Sequence, residues 1–190
     1  LVMEFAPHGD ATRLAGWSTW ATLRSLLLQV LSGLAHAHAH RVIHLDVKPG
    51  NVLRCGDGER YKLTDFGIAA TLGDERDDRT LGTMAYMAPE QTDPKARLGA
   101  QTDGYALGAL TFTLLTGRPP FQGTALEILH KHRLDPVPAI PGAPVLTDVV
   151  RHALAKVPGD RPTVEAFARA LGNLNPAGRR VERVRVNRAF

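Results

Sequence analysis

Four residues close together in the chain carry side chains suited to phosphate chemistry. Asp46, Lys48 and Asn51 lie in "HLDVKPGNVL", residues 44–53, and Asp65 lies in the "TDFG" that follows. Phosphoryl transfer asks little covalent work of a protein. It needs a carboxylate to orient or accept the attacking hydroxyl, hard oxygen ligands for a divalent cation, and positive charge beside the moving phosphoryl group. Mg2+ keeps several waters, so one carboxylate (Asp65) and one amide oxygen (Asn51), completed by nucleotide phosphates, make a sufficient set. Lys48, two residues beyond Asp46, is placed to offset charge on the phosphate.

Those residues need elements to hold them. Upstream, "LVMEF" reads as a strand broken by "APHGD", and Trp20, Leu23, Leu27, Val30, Leu31 and Leu34 recur at spacings of three and four, which predicts an amphipathic helix over about Thr19–His40. "RVIH" then reads as a short buried strand, and the two apolar runs around "GDG" (56–58) predict a β-hairpin. Residues 68–81 are polar, with Asp74, Glu75, Asp77 and Asp78, and read as a mobile loop. Beyond it the pattern is helical: a central buried helix at 103–116, amphipathic helices in "TALEILHKH", "LTDVVRHALA" and "TVEAFARALG", the last capped by Thr163, and a Pro-rich loop at 135–144. The predicted class is mainly α with a small β-hairpin element.

The 190 residues suffice for one domain, and a hydrophobic fraction of 44% with 22% charged residues is that of a soluble globular protein. No apolar run is long enough to span a bilayer, so a membrane is expected only through parts not present here. Cys55, alone, makes no internal disulfide, and a cytoplasmic location is expected. The net charge of +4 resides in the tail, where Arg179, Arg180, Arg183, Arg185 and Arg188 face only Glu182. The body is thus near neutral, and no nucleic-acid partner is expected; the tail reads as a solvated extension, with a membrane-surface or nucleic-acid contact as the alternative. The run "HAHAHRVIH" places His36 and His40 on one helix face and His38 on another, which favours helix-end and core histidines over a metal site. Trp17 and Trp20 are expected to pack at a helix start.

Taken in order, "HLDVKPGN", "DFG", "GTMAYMAPE", "TDGYALG" and "GDRPT" resemble the C-terminal lobe of a protein kinase, and the chain is most similar to the bacterial serine/threonine kinases of eukaryotic type. Any one of these motifs is weak; five in order are not. The resemblance covers about residues 1–171 as a partial kinase domain (hinge and C-lobe), leaving 172–190 as a basic, flexible tail. It implies ATP and Mg2+, with Mn2+ as the alternative cation, and a protein substrate with a Ser or Thr acceptor. It makes Asp46 the catalytic base, Lys48 the phosphate-neutralising lysine, and Asn51 and Asp65 the metal ligands. Around the nucleotide it places Met3 as gatekeeper, Glu4 and Ala6 at the hinge, Asp10 near the ribose and Leu53 under the adenine. It further implies that Thr83 bonds toward Asp46 and Lys48, that Glu90 pairs with Arg161, that Asp103 holds the catalytic loop from below, and that His44 and Phe66 stack in a spine.

Two departures from the family pattern matter. Leu45 stands where the family has an arginine that receives a loop phosphate, which implies an enzyme ordered without that phosphorylation; Thr71 and Thr80 read as solvated threonines, with phosphorylation as the alternative. The 190 residues also contain no G-x-G-x-x-G and no Val-Ala-Ile-Lys-like stretch, features of the N-terminal lobe. With the opening on Leu1, this implies part of a longer polypeptide, nearly inert alone and partnered in the parent chain by that lobe. The competing readings are a pseudokinase or kinase-like binding module, and, behind it, a small-molecule phosphotransferase.

Overall fold

The computed structural model of the chain describes residues 5–66 and 82–174. A short 3-10 turn, Ala11–Leu14, leads into α1 (Trp20–Ala39). The Thr19 hydroxyl caps α1 by accepting from the Thr22 N–H at 3.3 Å, and Leu23, Leu26, Leu27, Val30, Leu31 and Leu34 form its buried stripe. Arg41, at φ 60°, ends the helix in the left-handed conformation.

After the loop come β1 (Val52–Cys55) and β2 (Arg60–Leu63), antiparallel, with Val52 opposite Leu63 and Cys55 opposite Arg60. Gly56 and Gly58 supply the positive φ of the turn. Gln29 of α1 clamps this hairpin, donating to the Glu59 carbonyl at 3.0 Å and accepting from the Tyr61 N–H at 2.9 Å.

The stretch "RVIH" is not a strand, contrary to the sequence expectation, and Val42 is exposed. Most of its backbone donors are committed elsewhere. Arg41 N–H and Val42 N–H close on the His38 and Ala37 carbonyls and the His44 N–H goes to a side chain, so three of its four backbone donors are withdrawn from strand pairing. Residues 1–4 of the expected first strand lie outside the described residues, and Phe5 and Ala6 are irregular. Trp20 packs against the core, but Trp17 is 78% exposed and does not pack as expected.

The remaining helices are α2 (Ala100–Thr116), α3 (Ala125–Leu134), α4 (Pro144–Ala153) and α5 (Val164–Asn173). α2 starts three residues before the expected 103 and is buried from Thr102 to Thr116. A helix buried all round must hide its polar side chains. Thr111, Thr113 and Thr116 do so by donating to the carbonyls of Leu107, Ala109 and Phe112, four residues back, at 2.8, 2.8 and 2.9 Å. α3 opens with a Thr124/Glu127 capping box, and Thr163 caps α5 by accepting from the Ala166 N–H at 3.2 Å. α5 runs past the expected boundary at 171, and Arg24 ties it to α1 by donating to the carbonyls of Leu171 and Gly172. The acidic 68–81 segment and residues 175–190 of the tail fall outside the described residues. Among the described residues no helix is long and apolar enough to cross a membrane.

Gly108 lets α2 approach α4: a Cβ there would lie 2.9 Å from the Ala153 Cβ and 3.1 Å from the Leu154 Cγ. Gly33, exposed on α1, has nothing within 4 Å of the same position. Gly108→Ala should therefore lose about 1–3 kcal/mol to overpacking, more than the ~1 kcal/mol of helix propensity it gains, while Gly33→Ala should gain up to ~1 kcal/mol. Urea midpoints of the two variants, moving in opposite directions, check this.

Candidate active site

The loop between α1 and β1 is set by one carboxylate. Asp103, in the first turn of α2 and fully buried, accepts from the His44 N–H (2.8 Å, Oδ2), the Leu45 N–H (2.7 Å, Oδ1) and His38 Nε2 (2.7 Å, Oδ2). Leu45 needs that grip, because it sits at φ 66°, a conformation that disfavours a side chain of its size. Its carbonyl accepts from Gln91 Nε2 at 3.2 Å, and Gln91 Oε1 accepts from the Ala88 N–H at 2.8 Å. The side chain of Leu45 is apolar, so this position offers no donor to a phosphate.

With the loop fixed, the reactive side chains converge. Lys48 Nζ lies 2.8 Å from Asp46 Oδ2 and donates to Thr83 Oγ1 at 2.7 Å. Asn51 Nδ2 donates to the Asp46 carbonyl (2.8 Å) and to Asp46 Oδ2 (2.9 Å). Both amide hydrogens are thus committed, which leaves the carbonyl oxygen of Asn51 for a cation. Asp46 Oδ1 is buried without a hydrogen-bond partner among the described residues. A buried carboxylate oxygen left unpaired is costly and calls for an explanation.

The hairpin brings in Asp65. The Thr64 N–H donates to the Asn51 carbonyl at 2.9 Å, and the Thr64 carbonyl accepts from His44 Nε2 at 2.9 Å. His44 Nδ1 accepts from the Asp46 N–H at 3.2 Å, so the tautomer protonated on Nε2 satisfies both contacts. Asp65 follows at φ 61°, exposed, with no hydrogen bond or ion pair to a described residue. An exposed carboxylate, without a partner among the described residues, and an amide oxygen whose own N–H groups are committed are donors of the type that suits a hard divalent cation. His44 and Phe66 stack with ring centroids 4.4 Å apart.

The nucleotide-side residues are described in part. Met3 and Glu4 lie outside the described residues, as do Thr71 and Thr80. Ala6 accepts from the Gly9 N–H in a tight turn, and Leu53 bridges to Asp10 across the start of β1. The carboxylate of Asp10 is engaged locally, accepting from the Thr12 N–H at 2.8 Å.

A second anchor holds the Ala88-Pro89-Glu90 turn. Arg161 donates to both Glu90 oxygens (2.6 and 2.8 Å) and to the carbonyls of Ala155 (2.7 Å), Gln101 (3.0 Å) and Lys156 (3.1 Å). Those five bonds use the whole guanidinium. Burial raises the Glu90 pKa, but the Arg161 hydrogen bonds and charge, with further hydrogen bonds from a backbone N–H and Thr102, outweigh it and hold the carboxyl below its ordinary value. Beneath, Tyr105 O–H reaches His132 Nδ1 at 2.8 Å, and Lys156 Nζ donates to the Lys131 and His132 carbonyls. Burial, with the nearby Lys156 charge, pushes the His132 pKa down to about 4. His38, Gln91, Tyr105, His132 and Lys156 are not singled out as site residues by the sequence; Gln91 has a local signal in its bond back to the Ala88 N–H three residues earlier, whereas the partners of the others come from distant segments.

A family model described as protein kinase domain matches residues 1–175, and the chain belongs to that family. It is 43% identical over 183 residues to the serine/threonine-protein kinase PkaA of Streptomyces coelicolor, covering 90% of this chain and 33% of that protein. It is 38% identical over 196 residues to Pkn1 of Myxococcus xanthus (90% and 27%), and 39% identical over 161 residues to PknF of Mycobacterium tuberculosis (78% and 34%), both also named serine/threonine-protein kinases. The chain thus spans about a third or less of the length of these curated relatives.

Asp103→Asn should cost at least about 2 kcal/mol, because an amide cannot accept from the two backbone donors and the histidine on both its ends, and a buried donor left unpaired costs about 1–3 kcal/mol. Denaturant titration reads this directly. Acid should act in two steps. His132 binds a proton in the unfolded chain near 6.5 but only near 4 when folded, so stability falls as pH drops through that window. Below 4.5, Glu90 adds a second loss, since its folded carboxyl titrates lower than the unfolded one. In a pH series of urea midpoints, His132→Gln should flatten the first step and leave the second.

Proposed function

We propose that the protein is a serine/threonine protein kinase, transferring the γ-phosphate of ATP to Ser or Thr hydroxyls of a protein substrate, with residues 1–171 forming the hinge and C-lobe. The observation that carries this reading is the unpaired, buried Oδ1 of Asp46 within a carboxylate whose other oxygen is already held by Lys48 and Asn51. An acceptor hydroxyl donating to Oδ1 satisfies that orphan and is oriented by it, and the same oxygen takes the proton as the hydroxyl attacks. Lys48, steadied by Thr83 and Asp46, sits where it can offset charge on the transferred group. Asn51 and Asp65 are the residues that would hold Mg2+ or Mn2+; when bound, the cation neutralises charge on the nucleotide phosphates. The Lys48-Pro49 form of the loop supports Ser/Thr over Tyr acceptors, and Leu45 supports activity without loop phosphorylation, since it cannot pair with a phosphate.

The full-length protein, given radiolabelled ATP, Mg2+ and a generic basic protein, should label the acceptor. Asp46→Asn should cut the rate by about 10²–10⁴-fold with ATP affinity little changed. Labelling that survives this substitution overturns the assignment of Asp46, and a folded protein that labels nothing favours a binding module instead.

A further inference from the structure

The groove beside the catalytic loop carries one charge, on Arg13, that the transfer step does not use. It encloses about 710 Å³, within the usual range of ligand clefts, and its walls include Arg13 and Trp17 on one side and Lys48, Gly82 and Tyr86 on the other. Among the described residues, Arg13 and Lys48 are its only charged lining residues, and the Asp46 carboxylate is already paired with Lys48. Lys48 is engaged by Asp46 and Thr83, whereas exposed Arg13 makes no hydrogen bond or ion pair with any described residue. The wall that carries it is built rather than loose. Ala11 is fully buried, Asp10 caps the turn, and the Gly16 N–H donates to the Leu114 carbonyl at 2.9 Å. Beyond Arg13, Trp17 turns an open indole into the same groove.

We propose that this groove seats the acceptor segment of the substrate and that Arg13 selects an acidic side chain, Asp or Glu, close to the acceptor Ser or Thr. Trp17 then covers an apolar or aromatic neighbour of that acid. The inference rests on the kinase reading above and adds the substrate class. A guanidinium with no partner among the described residues, in a groove whose described lining holds no carboxylate, attracts an acidic segment and repels a basic one. The contact is partly open to water, so its effect is moderate and weakens with salt.

The test uses the full-length protein with a peptide set in which each position flanking a Ser or Thr acceptor is Asp, Ala or Arg in turn, read as kcat/KM. At one or two positions Asp should exceed Ala by about two- to fivefold and Arg should fall below it, the difference shrinking as salt is raised. Arg13→Glu should invert the order at those positions alone, and Arg13→Ala should level it. Arg13 is exposed, so both variants should fold. Peptides labelled in an Asp46-dependent way but without an acidic preference, or with one that Arg13→Glu leaves intact, overturn the inference while the kinase reading stands. If no peptide or protein is labelled, the kinase reading falls first, and this one with it.

Discussion

One carboxylate decides whether the reactive loop exists. Asp103 is brought to full burial by the first turn of α2, and there it gathers two successive backbone N–H groups and a histidine. A buried carboxylate is costly without such donors, and a left-handed leucine is costly without such a grip. Each defect is tolerable because the other is present. Everything downstream depends on this exchange: Leu45 turns, Asp46 and Asn51 face each other, and Lys48 folds back onto both Asp46 and Thr83.

The second half of the site uses a different device. The Ala88-Pro89-Glu90 turn is fixed from outside by Arg161, whose planar fork meets both Glu90 oxygens while its other donors collect loop carbonyls. The Tyr105 ring lies under the guanidinium at 4.7 Å, and Phe121 carries the Lys156 ammonium at the same distance. Gln91 then joins the two halves, since it bonds the Leu45 carbonyl on one side and the Ala88 N–H on the other. This amide, together with the Lys48–Thr83 hydrogen bond, sets the spacing between the loop that holds Asp46 and the segment that holds Thr83.

The helices were legible because their signals are local: Thr19, Thr124 and Thr163 cap as their positions suggest, and the apolar spacing of α1 is plain in the sequence. The hairpin was legible from its two apolar runs and the Gly-Asp-Gly between them. "RVIH" misled because its composition is that of a strand, while its backbone donors go to Ala37 and to Asp103, the latter a partner some 59 residues away. Asp46, Lys48, Asn51 and Asp65 could be picked out by residue type and motif, but their relation could not. That Asn51 is turned by Asp46, or that His38 shares the Asp103 carboxylate, depends on tertiary packing. Trp17 misled for the opposite reason: a tryptophan at a helix start usually packs inward, and here it lines an open groove.

The position of Arg161 in the chain has a consequence for synthesis. The carboxylate it holds lies 71 residues earlier, and its remaining carbonyl partners also precede it. Chains emerge from the ribosome N-terminus first, at about 5–20 residues per second. For several seconds the nascent polypeptide therefore contains Glu90 and the whole of α2 but not the cation that neutralises them. Until Arg161 emerges, burying Glu90 would leave its charge uncompensated, so the Ala88-Pro89-Glu90 turn stays in water and closes late, after most of the chain that surrounds it has been made.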